Sequence, residues 1–147
     1  MTQEDKKLLL KDLCARLPYG VLCKSGNEIL LLKDVYIDGS VGNEGQLRLG
    51  NCKYGGIYRS IDEVKPYLHP LSSMTEEEEA DLEAYSKQEL DKYADNVLKH
   101  ADKDTTRYSK IILIYKDIDW YNKNHFDYRG LIPKDLALEA SEGMYNN

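Results

Sequence analysis

Six residues able to exchange protons, hold an anion or make a flat contact crowd into positions 117–129: Asp117, Asp119, His125, Asp127, Tyr128 and Arg129. The only Trp (Trp120) and the only Phe (Phe126) stand among them. A histidine close to a carboxylate can move protons near neutral pH, so His125 and Asp127 are the candidate catalytic pair. Arg129 carries a planar fork of donors suited to an anion, and Tyr128 beside it offers a rigid face with a polar tip. Gly130 lets the backbone turn after them. The same residues have structural uses: Asp117 as a helix cap, Asp127 as the closer of a turn, and Arg129 as the partner of a carboxylate. No nucleophile or metal-ligand set accompanies the cluster, so it specifies no reaction.

A second group sits between two prolines. Pro66 and Pro70 bracket Tyr67 and His69, and a braced backbone lowers the entropy lost on binding. Tyr67, His69, Tyr128 and Arg129 are therefore the candidate ligand-binding residues, two lips of one cleft, with a planar or anionic molecule as guest. Tyrosine is over-used, with 12 against one Phe and one Trp. Tyr54, Tyr58, Tyr67, Tyr121, Tyr128 and Tyr145 fall in or near turns, where they serve contact surfaces or half-buried packing.

Other chemistries lack their motifs. Gly39–Gly45 has no GxxxxGK[ST] pattern, and no GxSxG or HExxH is present. His69, His100 and His125 have no metal-ligand spacing. Cys14, Cys23 and Cys52 are odd in number and lack a CxxC. No metal, cofactor or disulfide is expected, and all three cysteines are expected as free thiols. Cys14 lies beside a leucine stripe and is expected in the core.

Sequence patterns set the elements that must position these residues. Thr2 and Asp5 form a capping-box-like start to a helix. Leu9, Leu13 and Leu17, with Leu10 and Cys14 beside them, form its apolar stripe, and Pro18 stops it. Tyr19–Lys24, Glu28–Ile37, Gln46–Leu49 and Ile57–Ser60 read as strands. Turns at Ser25-Gly26-Asn27, residues 38–45 and the glycines between 50 and 56 separate them. Ser60 and Glu63 box a single helical turn before Pro66. Thr75 with Glu78, and Ser86 with Glu89, form two further boxes, which predict two helices with a break near Ser86. Leu90, Tyr93, Ala94, Val97 and Leu98 make an amphipathic stripe. Lys110–Tyr115 fits either a strand or a helical stripe. Asp117 can cap a short helix over 118–124, and Leu136-Ala137-Leu138 reads as a packed tail. The fold class is α+β: a small antiparallel β-meander or SH3-like partial barrel flanked by amphipathic helices. One domain spans 1–147, with a β-rich part at about 19–71, a helical part at about 75–104 and a C-terminal part at about 108–147.

Charge narrows the partners. The chain carries a net charge of −6, and residues 75–104 account for it with eleven acids and four lysines. Such a surface repels phosphate backbones, so nucleic acid is not an expected partner. Glu76–Glu79 fill a first helical turn, where the dipole favours negative charge. No apolar run reaches the ~20 residues of a membrane span, and the first residues lack a signal-peptide core. A cytoplasmic protein with no membrane partner is expected; self-association is left open.

Four segments carry a resemblance. Leu13–Val21, Lys65–Thr75, His125–Pro133 and Leu136–Ala140 resemble, in order, the motifs of a family of small uncharacterised proteins encoded by gut bacteroidete phages and prophages. The sequence departs from that pattern at His69, where the family leads one to expect Arg, and at Asp135 and Ser141, where Gly and Pro are expected. The resemblance implies a phage or mobile-element setting in a bacterial host and no particular activity. The expected function is a non-enzymatic binding protein that sequesters a host ligand or modulates a host protein in phage–host conflict. The alternative is a small hydrolase or nucleotide-processing enzyme using His125 and Asp127.

Overall fold

The computed structural model describes residues 1–36, 46–50, 55–97 and 105–145, without the side chains of 89, 90, 92–97 and 105–113. Ile37, the turns at 38–45, Cys52, Tyr54, the side chains of the Leu90–Leu98 stripe and His100 lie outside the described residues. The fold is α+β: a six-stranded, mostly antiparallel open sheet with three helices.

Helix α1 (Gln3–Arg16) begins on the expected box. The Thr2 hydroxyl accepts the Asp5 N–H at 3.1 Å, and the Asp5 carboxylate accepts the Thr2 N–H at 3.3 Å. The helix ends as Pro18 enters a 3₁₀ turn over Leu17–Tyr19. Its buried stripe is Leu9, Asp12, Leu13 and Arg16, positions i, i+3, i+4 and i+7 of one face. Leu9 and Leu13 each contribute ~1.5–3 kcal/mol by leaving water. Cys14 is exposed, against the expectation of a core thiol. An ion pair, Asp12 with Arg16, occupies part of the buried face, and the stripe is thereby rotated away from Cys14.

The strands are β1 (Leu22–Ser25), β2 (Glu28–Tyr36), β3 (Gln46–Leu49), β4 (Ile57–Ser60), β5 (Val64–Leu68) and β6 (Leu138–Glu139), in the order β4-β3-β2-β1-β5-β6. β2 pairs with β1 along its first half and with β3 along its second, and the register shifts between Leu32 and Asp34. β5 returns antiparallel to β1 after a 3₁₀ turn, Ile61–Glu63, held by the Ser60–Glu63 box. The result is an open sheet with β4 and β6 at its two edges. Leu30, Leu32, Leu47, Leu49, Val64 and Leu68 fill its inner face together with Leu9 and Leu13 of α1.

Two features depart from the sequence reading of the C-terminal half. α2 (Glu76–Val97) is one helix running through Ser86. The Ser86 hydroxyl makes no cap; it donates to Asp117 at 2.6 Å. α3 (Thr105–Lys123) absorbs the stretch that read as either strand or helix, so Asp117 lies inside a helix and not at its cap. α3 runs against α2. Tyr85 and Tyr19 donate to Asp119, and the Trp120 indole donates to Asp81 at 2.9 Å, which fixes the pair. The Leu136-Ala137-Leu138 tail contributes to β6, which runs parallel to β5 after the two-helix crossover. No described helix is long and apolar enough to cross a membrane.

Candidate functional site

The end of α3 sets the site. Asn124 follows the helix, and His125 takes the left-handed conformation with φ 58°. The Phe126 N–H returns to the Tyr121 carbonyl at 2.9 Å and the His125 N–H to that of Asn122 at 3.3 Å. These are the two bonds of a Schellman ending, in which the left-handed residue is usually Gly. The Arg16 guanidinium from α1 completes it, donating to the carbonyls of Tyr121 (3.3 Å) and Phe126 (2.8 Å). A cation at a helix C-terminus is favoured by the dipole. The segment then lies along the edge of the sheet beyond β5. The His69 N–H donates to the His125 carbonyl at 2.9 Å, and the Asp127 N–H to the His69 carbonyl at 2.8 Å.

The candidate residues separate into two groups. His69 and His125 come together. Asp127 is buried, and its two oxygens accept the N–H groups of Leu131 and Ile132, both at 2.8 Å. It closes the turn, as the structural alternative had it, and forms no acid–base pair with His125 among the described residues. Arg129 is not presented outward. Its side chain is 17% exposed and its Nε lies 3.2 Å from Asp12 Oδ1, without the alignment of a hydrogen bond. Asp12 is already held by Arg16, with contacts of 2.7 and 3.1 Å. Tyr128 stacks on Tyr121 and lies under both guanidiniums, 5.6 Å from Arg16 and 4.7 Å from Arg129. Tyr128 and Arg129 therefore belong to a packed ion cluster on α1, apart from the two histidines. Tyr67 is half-buried in β5, and its carbonyl accepts the Tyr145 hydroxyl at 2.6 Å.

Among the described residues, a cleft forms around the histidines. It measures about 520 Å³, and its walls include Tyr19, His69, His125, Tyr145, Glu78 and Lys123. A second cleft of about 350 Å³ adjoins it and shares His69, Glu78 and Tyr145. Rings form a continuous series into this wall. Trp120 stacks on Phe126 at 5.5 Å, Phe126 meets His69 at 5.7 Å, His69 meets Tyr145 edge-on at 5.8 Å, and Tyr145 stacks on His125 at 3.8 Å. The Tyr145 hydroxyl also accepts the Leu22 N–H at 3.2 Å. It thus bridges β1 and β5 just past Cys23 and Pro66, the last pair of their ladder.

Burial governs the proton affinities here. His125 is 4% exposed. Loss of hydration, aided by the positive charge of Arg16 and by His69, pushes its imidazole down to about 3. The ring is neutral at physiological pH. Its Nδ1 is buried without a partner. Burial also lowers His69, with Glu78 opposing. The bond to Asp119, together with burial, raises the Tyr19 phenol to about 12. Burial raises Tyr145 as well.

Tyr19, Glu78, Lys123 and Tyr145 were absent from the sequence-derived candidates. The excess of tyrosine was the one signal that pointed toward Tyr145. Comparison with protein families, with curated proteins and with solved structures gives no match.

Proposed function

We infer that the protein is a non-enzymatic binding protein whose cleft receives a small planar ligand. The observation that carries this reading is the set of rings, Tyr19, His69, His125 and Tyr145, around a space of about 520 Å³. Small-molecule sites have this size. The rings are held by the sheet edge and the helix ending, so little order is lost on binding. Asp127 is engaged by backbone N–H groups, and this favours binding over acid–base work. The anionic guest expected from Arg129 loses its support, since that guanidinium faces Asp12. The phage resemblance fits a role in holding a host metabolite or occupying a host protein in phage–host conflict.

The test is a screen of planar fragments by NMR, reading the ring resonances of His69 and His125. Mass spectrometry of small molecules released from the purified, denatured protein runs alongside. The expected result is a planar compound that shifts both histidines. Fragments that bind elsewhere, or a library with no binder at all, would overturn the reading.

A further inference from the structure

The charge of the groove says what kind of planar ligand it takes. The two clefts share one wall, His69, Glu78 and Tyr145, and so form a continuous groove. Along it stand three carboxylates, Glu78, Glu139 and Glu142, against one ammonium, Lys123. Glu78 lies at the junction. The Thr75 hydroxyl and N–H bind one of its oxygens, both at 2.8 Å, which anchors the carboxylate at the start of α2. An independent feature points the same way. His125, 4% exposed, lines the larger cleft with a buried Nδ1 that has no partner. A buried imidazole nitrogen with no partner leaves hydrogen-bonding capacity unused at the wall of the cleft. The rings of His69, Phe126 and Tyr145 line the adjoining cleft, and aromatic faces attract cations.

We propose that the groove selects an arylalkylammonium, a protonated amine tethered to an aromatic ring, with the ring among Tyr19, His125 and Tyr145 and the ammonium on the Glu78 side. The proposal rests on the reading of the cleft as a binding site for planar molecules. The ring supplies apolar contact, and the ammonium supplies donors to Glu78. The Glu139 and Glu142 carboxylates add attraction from the adjoining cleft. Lys123 disfavours a ligand that places its cation at the opposite end, and so gives the site a polarity.

Three probes that share a phenyl ring and a short tether separate the possibilities: phenethylamine, phenethyl alcohol and hydrocinnamate, titrated by NMR into the whole protein at neutral pH. Phenethylamine is expected to bind at about millimolar affinity, as suits so small a fragment. It should bind at least roughly fivefold tighter than the alcohol, with hydrocinnamate weakest. Glu78→Gln keeps a side chain able to complete the cap. It should weaken the amine roughly five- to tenfold and leave the alcohol unchanged. If that variant fails to fold, the double variant Glu139→Gln/Glu142→Gln, at two exposed positions, should narrow the gap between amine and alcohol. Alcohol or hydrocinnamate binding as tightly as the amine would overturn the cationic class and leave the planar-ligand reading standing. Unchanged amine affinity in the folded variants would do the same. No binding of any of the three would overturn both.

Discussion

Replacing His125 with Asn should change how stability depends on pH more than it changes stability at pH 7. Asn tolerates the left-handed backbone that position 125 requires, and it does not titrate. In the folded protein His125 takes a proton only near pH 3, because burial and the Arg16 charge oppose it. In the unfolded chain it does so near its ordinary value of 6.5. Between those values the unfolded state binds the proton and the native state does not. Acidification therefore favours unfolding, and the stability present above pH 6.5 is lost progressively down to about pH 3. Each unit in that interval is worth ~1.4 kcal/mol, so about 3 kcal/mol should be gone by pH 4. For a domain of this size that corresponds to a drop of roughly 6–14 °C in melting temperature. Asp5 and His69, both shifted downward, add to acid destabilisation, but they are common to wild type and variant. The assay is urea denaturation of both proteins at steps from pH 7.5 to pH 4. The difference between the two curves should shift by about 3 kcal/mol in favour of the variant as pH falls. Lost stacking on Tyr145 gives only a constant offset. Parallel curves would refute the argument, because His125 would then titrate alike in both states.

The ion cluster on α1 gives two unequal costs. Asp12→Asn leaves the buried Arg16 without its counter-ion and should cost ~3–5 kcal/mol, whereas Arg129→Ala leaves Asp12 paired and should cost only ~1–2 kcal/mol; thermal denaturation of the two variants ranks them. Tyr145→Phe keeps the ring but strands the Leu22 N–H and the Tyr67 carbonyl, so denaturant unfolding should show a loss of ~1–3 kcal/mol. Intact-mass alkylation should label Cys14 in the native protein and reach Cys23 only after denaturation, since Cys23 is fully buried and burial raises its thiol to about 12.

Local signals reported the local structure well. The Thr2–Asp5 box, the Ser60–Glu63 turn and the bounds of β3 and β4 were legible because each depends on residues within one turn or one short strand. The failures share a different cause. Ser86 and Glu89 match a capping box, yet Ser86 gives its hydroxyl to Asp117 on the neighbouring helix. Cys14 adjoins the leucines but not the face they bury, because Asp12 and Arg16 claim that face through partners near residue 126. Asp135 has φ 56°, a left-handed backbone that no local pattern announced, and Asp is among the residues that tolerate it. Of the residues lining the candidate cleft, His69 and His125 were legible from residue type and neighbours. Tyr145 and Tyr19 were not, because they meet the histidines only through tertiary packing.

The Tyr145 hydroxyl also sets an order of events. It joins Leu22, 123 residues earlier in the chain, to Tyr67, 78 residues earlier. A ribosome adding roughly 5–20 residues per second needs roughly 4–16 s to travel from Tyr67 to Tyr145. Through that interval β1 and β5 have been made but the bridge between them has not, and the cleft lacks the ring that stacks on His125. The nascent chain thus passes through a stage with its sheet largely written and its cleft unformed. The cleft is complete only with Tyr145, after α2 and α3 have been made, so a chain stalled before it has the scaffold without the cleft.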